Sequence, residues 1–431
     1  MPIAPTGPFQ LACRLSCWGF VTAMLAPAAA LAGPLAPGDG SRVAEAGLFS
    51  PVAMADAANW TPVAPDEPDF PYYNFDWSLG TRGSFIRDSN GPRFEAALLP
   101  SASLTHSGKL FSYGATATAQ VSKTDGGAVN LDELRLSGTS TYQVDPRVKW
   151  VSNASIAMTR EDVNAPDVPS DVAETPLEIS GSADTAYTRK FGRLNATVRG
   201  NAGRDTYGPT TLTDGTVTDN SDQNNTRLGT GLRLGYQLTP MVEVFGDAGV
   251  QRTVFDAPSA SLGTRLNDNQ YTLLAGVAVT RDETLSASVS AGVGLARFDD
   301  PTLSEVRATL YDASLTYKPT EALSLTGAFT TAIGAPGPNG SGTARLAYEA
   351  DAGATYLVND WLDWRVAAGW HRTEYAGSDV LDTGYSAGLG ADYVVGPHVK
   401  LSADYSFERG QITPNPVSDT HTVSIGVTVS K

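Results

Sequence analysis

The feature that most constrains this chain is an alternation of apolar and polar residues that runs from Asp76 to the last residue. In the segment 227–251, for example, Leu228, Leu232 and Tyr236 share one face of an extended chain, and Arg233 lies on the other. A period of two is the pattern of a β-strand with one apolar and one polar face. Such strands form either a soluble sandwich with a dry core or a membrane barrel whose apolar face meets lipid.

The breaks between the alternating runs distinguish these two folds. We count eighteen runs, and tight breaks such as Thr239-Pro240 and Asn359-Asp360 take turns with longer ones such as 161–174. Short turns on the periplasmic side and longer loops outside are typical of outer-membrane barrels. Eight turns and nine loops predict an all-β, transmembrane antiparallel β-barrel of eighteen strands, with sixteen as the alternative, and both termini in the periplasm.

Aromatic residues form two predicted belts on the apolar face. One belt lies beside the tight turns and the other lies farther along the same strands, as expected where amphipathic rings sit at both lipid–water boundaries. The predicted girdle consists of Tyr142, Trp150, Tyr187, Tyr236, Tyr317, Tyr356, Trp364 and Tyr393, and of Tyr271, Tyr311, Tyr348, Trp370, Tyr385 and Phe407.

The opposite face of the strands carries charges of both signs. Charges buried in a dry core cost several kcal/mol each unless they are paired, so this interior must be wet or densely paired. The predicted lumen-lining residues are Glu133, Arg135, Glu178, Asp184, Arg193, Arg199, Arg227, Arg233, Glu243, Asp247, Arg345, Glu349, Asp351, Asp363, Arg365, His371, Asp392 and Asp404, and Asp312 belongs to the same pattern. Such charges either set the selectivity of a pore or pair across strands and stiffen its wall.

The N-terminal segment before the barrel divides into two parts. Residues 1–32 combine a lone Arg14, a mostly apolar stretch and an Ala30-Leu31-Ala32 end, which predicts a cleaved secretory signal peptide. Residues 33–74 hold seven prolines and predict an extended periplasmic linker, followed by the barrel at 75–431. Both cysteines lie in the signal segment, so the mature chain is expected to hold neither a disulfide nor a thiolate metal site.

Charge and residue types exclude other functions. With 46 acidic and 30 basic side chains the net charge is -16, which argues against a nucleic-acid partner. Of the four histidines only His371 is expected to face the lumen, and it has no nucleophile near it in sequence. The sequence therefore predicts neither an enzyme nor a metal site nor a cofactor.

Several segments resemble the putative beta-barrel porin 2 family of Gram-negative outer membranes. The likeness lies in the Gly, aromatic and turn residues of "PSASLTHSGKLFSYGATATAQV", "NNTRLGTGLRLGYQLTPMVEVFGDAGVQRTVFD" and "DTGYSAGLGADYVVGPHVKLSADYSFERG". The resemblance implies a barrel in the outer membrane, and members of this family often look like the outer-membrane component of exopolysaccharide export with a periplasmic partner. Other members are porins of unspecified cargo.

Three functions remain open from the sequence. The first is a non-enzymatic conduit for polysaccharide export, coupled through the linker to a periplasmic export protein. The second is a general diffusion porin for small polar solutes. The third is a structural or adhesive barrel with a plugged lumen. In all three, outer-membrane lipid and lipopolysaccharide are expected partners.

Overall fold

The structure is a computed structural model, and it describes residues 73–88, 91–127, 129–160, 163, 172–336, 342–413 and 417–431. The predicted signal peptide and nearly all of the predicted linker lie outside the described residues. The first strand begins at Tyr73.

The described residues form twenty-one strands, eighteen of which build one closed sheet. In chain order they are β1 (Tyr73–Asp88), β2 (Gly91–Ser107), β3 (Phe111–Thr124), β4 (Val129–Asp145), β5 (Val148–Arg160), β6 (Val172–Glu174), β7 (Leu177–Phe191), β8 (Leu194–Tyr207), β9 (Thr210–Leu212), β10 (Val217–Thr218), β11 (Asn225–Gln237), β12 (Val242–Phe255), β13 (Asp268–Arg281), β14 (Leu285–Phe298), β15 (Val306–Thr320), β16 (Leu323–Gly334), β17 (Arg345–Asn359), β18 (Leu362–Tyr375), β19 (Leu381–Gly396), β20 (Val399–Ile412) and β21 (Ser418–Ser430). The short strands β6, β9 and β10 form a separate sheet in the connecting loops. Among the described residues no helix has the length and apolar character needed to cross a membrane.

The sheet closes because its first and last strands pair with each other. β1 and β21 are antiparallel partners from Ser78↔Ser430 to Arg87↔His421, and every other barrel strand pairs antiparallel with the barrel strands before and after it in the chain. A closed ring leaves no sheet edge, so backbone N–H and C=O groups find partners without water. The predicted eighteen-stranded antiparallel barrel is confirmed.

The two faces of the sheet have the polarity that a lipid environment requires. Leu228 and Ile425 are 58% and 66% exposed on the outer face, whereas Arg365 and Asp392 are 4% and 1% exposed on the inner one. A soluble β-protein has the reverse arrangement, with its apolar side chains inside. The apolar faces therefore point out of the barrel and the charged faces point into it.

The two ends of the barrel differ in their connections. At one end, the turn end, eight connections of two to four residues join the strands. At the other, the loop end, connections run up to those at 161–176 and 208–224, although the first two, at 89–90 and 125–128, are as short as the turns. The start of β1 and the end of β21 lie at the turn end, because the strand number is even. That this end faces the periplasm remains a prediction from the loop lengths.

The ladder between β15 and β16 is incomplete at the loop end. It runs from Asp312↔Thr330 to Thr320↔Leu323, while β15 pairs with β14 up to Val306. Near this gap, a Cβ added to Gly294 of β14 would lie 2.8 Å from Leu310 Cδ1 and 3.1 Å from Ile333 Cδ1.

Glycines on the inner face make room for neighbouring strands. A Cβ added to Gly292 would overlap the backbone carbonyl of Leu273, and one added to Gly276 would overlap the ring of Phe245 and the carbonyl of Val289. On the outer face, a Cβ at Gly246 would meet nothing within 4 Å. A glycine on the inner face is therefore harder to replace by a larger residue than a glycine on the outer face.

We expect Gly292→Ala to destabilise the barrel by about 1–3 kcal/mol, because the backbone of β13 must move to admit the methyl group. Gly246→Ala is the matched control on the lipid face and should leave stability unchanged. The measurement is the temperature at which each folded barrel loses its fast mobility on a semi-native gel. Equal midpoints for the two variants would contradict this account of the inner glycines.

Candidate functional site

The candidate site is the inner face of the barrel, and it contains all but one of the predicted lumen residues. Arg193 is the exception: it lies in the exposed turn between β7 and β8, so its prediction as a lumen residue is wrong. The alternation of β8 would place Arg193 inward, but the strand begins only at Leu194. The remaining predicted residues, and Asp312, occupy inward positions of wall strands.

A first group of charges lies on β8, β11 and β12. Arg199 donates through Nη2 to Asp247 Oδ2, and both side chains are buried. Arg233 Nη2 lies 3.1 Å from Glu243 Oε1, and its guanidinium carbon lies 3.4 Å from the ring centroid of Phe245. Charge-assisted hydrogen bonds and a cation–π contact thus hold the arginines against the wall.

Glycines on the middle strand allow these partners to meet. Gly229 on β11 lies in register with Asn201 on β8 and with Gln251 on β12, and Asn201 Nδ2 donates to Gln251 Oε1 at 3.1 Å across it. Gly231 is opposite Arg199 in the same way. A Cβ at Gly229 would overlap the Asn201 amide. The bridge between Asn201 and Gln251 therefore spans three strands and requires a middle residue with no side chain.

A second group of charges, on β18, β19 and β20, repeats this arrangement. Arg365 Nη2 lies 2.9 Å from Oδ1 of both Asp392 and Asp404, and Lys400 Nζ lies 2.9 Å from Asp392 Oδ2. Gly390 lies in register between Arg365 and Asp404. Five donors on a planar guanidinium suit it to bridge two carboxylates at once.

Three inward carboxylates differ from the others. Asp184 on β7, Asp312 on β15 and Asp351 on β17 have no hydrogen bond or ion pair with any residue that the structure describes. By contrast, the inward arginines Arg135 and Arg227 are paired, with Glu133 and Asp205. These three carboxylates are therefore the inward acids without a direct partner among the described residues. Asp312 lies in the electrostatic field of Arg199 and Arg233, whose direct partners are Asp247 and Glu243.

Several residues of the inner face were not among the predicted ones. Arg82 on β1 is buried in the field of the Glu95, Asp404 and Asp132 carboxylates. Asp382 is buried and lies 3.3 Å from His371 Nε2 through its Oδ1 atom. Arg82 shares its face with Ser78 and Ser84, so the alternation of β1 would have indicated it.

The predicted girdle residues lie on the outward faces of their strands. Twelve of the fourteen are exposed, and Tyr348 and Phe407 are half-buried. Phe407 packs against Tyr385, with ring centroids 6.1 Å apart. Their role as boundary anchors stays a prediction.

Ion pairs at the loop end fasten loops to strands. Arg204 binds Asp256 through two hydrogen bonds of 2.8 and 2.5 Å, and Arg252 binds Asp299 through two of 2.7 and 2.5 Å. These hydrogen bonds from the guanidinium groups hold the pKa of Asp256 and of Asp299 below its usual value. Within the described residues, no group of three or more His, Cys, Asp or Glu side chains could hold a metal ion.

We expect Arg365→Ala to lower the free energy of unfolding by about 3 kcal/mol or more, because it leaves Asp392 and Asp404 buried without their shared cation. Arg372→Ala, on the same strand, is the control: its exposed pair with Glu374 should contribute no more than about 1 kcal/mol. Urea unfolding in lipid vesicles, followed by tryptophan fluorescence, measures both. Adding Asp404→Asn to Arg365→Ala should recover part of the loss, and no recovery would contradict the charge explanation.

A comparison with protein families agrees with the fold. The family model described as putative beta-barrel porin 2 matches residues 103–431. Similar solved structures include OpdK of Pseudomonas aeruginosa with vanillate, at 12% identity over 83% of this chain and 99% of that chain with a TM-score of 0.41. They also include the FrpB iron transporter of Neisseria meningitidis, at 11% identity over 78% and 62% with a TM-score of 0.42, and OccK3 of Pseudomonas aeruginosa, at 13% over 83% and 96% with 0.41. No curated protein matches the sequence significantly.

Proposed function

The chain belongs to the putative beta-barrel porin 2 family and is a porin-like barrel of the Gram-negative outer membrane, and from this premise we propose that it is a passive, cation-preferring channel for small polar solutes. The observation that carries the proposal is the charge state of the inner face. Its arginines are mostly paired, while Asp184, Asp312 and Asp351 are not.

The neutral part of the wall supports passage of polar solutes. Strands β3, β4, β5 and β7 present hydroxyl and amide side chains inward, among them Thr118, Ser137 and Asn153. Ser155 and Ser182 lie on the same face, with their Oγ atoms 2.8 Å apart. Hydroxyl groups both donate and accept hydrogen bonds, so they can replace part of the hydration shell of a passing solute.

The free carboxylates support the preference for cations. Asp312 and Asp351 lie on β15 and β17, the two neighbours of β16, and face Thr330 and Ala328 of that strand, whereas Asp184 lies on β7 in another part of the ring. A fixed charge that is not neutralised by a neighbour attracts counter-ions into a narrow polar passage. Asp184 in particular is exposed, although its position is inward.

The other predicted functions have less support. The linker that would meet a periplasmic export protein lies outside the described residues, and polysaccharide export stays a prediction. A structural barrel with a plugged lumen would have the same fold, and a conductance measurement is what distinguishes it from a channel. We expect no catalysis: His371 pairs with Asp382, but no hydrogen bond between His371 and a serine, threonine or cysteine side chain occurs among the residues described here.

We expect the purified barrel in a planar bilayer to conduct ions steadily without a partner protein and to be more permeable to K⁺ than to Cl⁻. Replacing Asp184, Asp312 and Asp351 together by asparagine should lower the permeability ratio at least about twofold, because the free negative charge is removed. The reversal potential in a KCl gradient measures this ratio.

Asp256→Asn is the control, since this carboxylate lies at the loop end and is already paired with Arg204. Its permeability ratio should equal that of the unmodified protein. Anion preference, or a triple variant with an unchanged ratio, would refute the assignment of selectivity. Silence from a correctly folded barrel would refute the channel itself and favour a plugged lumen.

A further inference from the structure

Basic side chains encircle the outer face of the barrel near its loop end. Each lies on the lipid-facing side of a wall strand, close to the strand's loop-end terminus, which is unusual for a face that is otherwise apolar. The members of this outer basic belt are Arg87, Lys123, Arg160, Arg204, Arg252, Arg297, Arg307, Arg372 and Arg409.

The belt lies at a defined height above the turn-end aromatics. Ten residues separate Trp77 from Arg87, Tyr113 from Lys123, Trp150 from Arg160, and Arg307 from Tyr317. At about 3.4 Å per residue and a strand tilt near 40°, ten residues rise roughly 26 Å, close to the roughly 25 Å apolar band of such barrels. The basic heads therefore reach the headgroup level of the leaflet at the loop end.

Most belt members already have a carboxylate partner. Glu305 binds both Arg297 and Arg307, and Arg409 binds Asp419. Arg87 on β1 and Lys123 on β3 are different, because neither forms an ion pair or hydrogen bond with any residue described by the structure. Two cations on nearby strands are thus available to an external anion.

A groove in the outer face lies between these two strands. It has a volume of about 470 Å³, and its floor is formed by Gly83 and Ala96, which are opposite each other on β1 and β2. Its further lining includes Leu98, Val121, Lys123, Val129 and Ile425. A Cβ added to Gly83 would meet nothing within 4 Å, so the missing side chain leaves a real depression in the lipid-facing surface.

We propose that this groove holds an acyl chain of a diphosphorylated glycolipid of the outer leaflet, whose phosphates are bound by Lys123 at the groove and by Arg87, which lies four residues farther toward the loop end than the row of Gly83, Ala96 and Lys123. An apolar groove in a membrane attracts any lipid chain equally, because lipid tails are as apolar as the protein side chains, so recognition must come from polar contacts. Ammonium and guanidinium groups at headgroup height supply those contacts to a phosphate. The proposal depends on the outer-membrane location and on the loop end facing outward, but not on ion conduction.

The test is native mass spectrometry of the full barrel in detergent with added diphosphoryl lipid A. The unmodified protein should retain one molecule, and Arg87→Ala with Lys123→Ala should weaken the apparent affinity about tenfold or more, which is about 1.4 kcal/mol. Gly83→Leu should also weaken binding by filling the groove with both cations in place. The control is Arg297→Ala with Arg307→Ala, which removes two belt cations that Glu305 already binds, and it should bind within twofold of the unmodified protein.

Three results would overturn the proposal. Equal retention of dephosphorylated lipid A would exclude a phosphate site. An equal loss of lipid A affinity in both double variants would show that only the general surface charge matters. Equal affinity for phosphatidylglycerol would exclude a site specific for a glycolipid. Fast mobility on a semi-native gel reports folding of each variant, and conductance of the same samples tests the channel separately. A conducting barrel that fails to bind lipid A would refute this site and leave the proposed function intact.

Discussion

Every feature of this protein depends on the closure of its backbone hydrogen-bond ring. A strand in lipid cannot offer unpaired N–H and C=O groups to water, and pairing of β1 with β21 removes the two edges that an open sheet would have. Closure also fixes the polarity of the faces. Once the ring surrounds a lumen, successive residues of each strand point alternately to the lipid and into the barrel. Apolar and polar side chains must therefore alternate along the strand.

The inner face then has to accommodate charged side chains in a confined space. It does so with bridges that span three strands, in which a residue on one strand reaches a partner two strands away across a glycine on the strand between. Arg365, Gly390 and Asp404 form one such bridge, and Asn201, Gly229 and Gln251 form another. Glycines of this chain therefore leave space for side-chain bridges on the inner face as well as forming turns.

On both faces of the barrel, the proposed functions depend on charged side chains that have no ion-pair partner among the described residues. On the inner face most arginines have carboxylate partners, and the proposed cation preference depends on Asp184, Asp312 and Asp351. On the outer face most belt cations have carboxylate partners, and the proposed lipid site depends on Lys123 and Arg87. In both proposals, a charge without a partner among the described residues is the one available to an external ion or lipid.

The fold class, the strand number and the two faces follow from the sequence alone, because a period of two and the spacing of turns are local properties that burial on one side enforces. The local pattern is misleading where a strand ends: it places Arg193 in a wall although this residue lies in a turn, and the first two loops are as short as turns. Which charges meet follows only from the three-dimensional structure, because it depends on the register of each strand pair and on the direction that each long side chain takes across its neighbours. Asp392 meets Arg365 and Asp382 meets His371, whereas Asp184 meets no partner among the described residues, and no spacing along the chain encodes that difference.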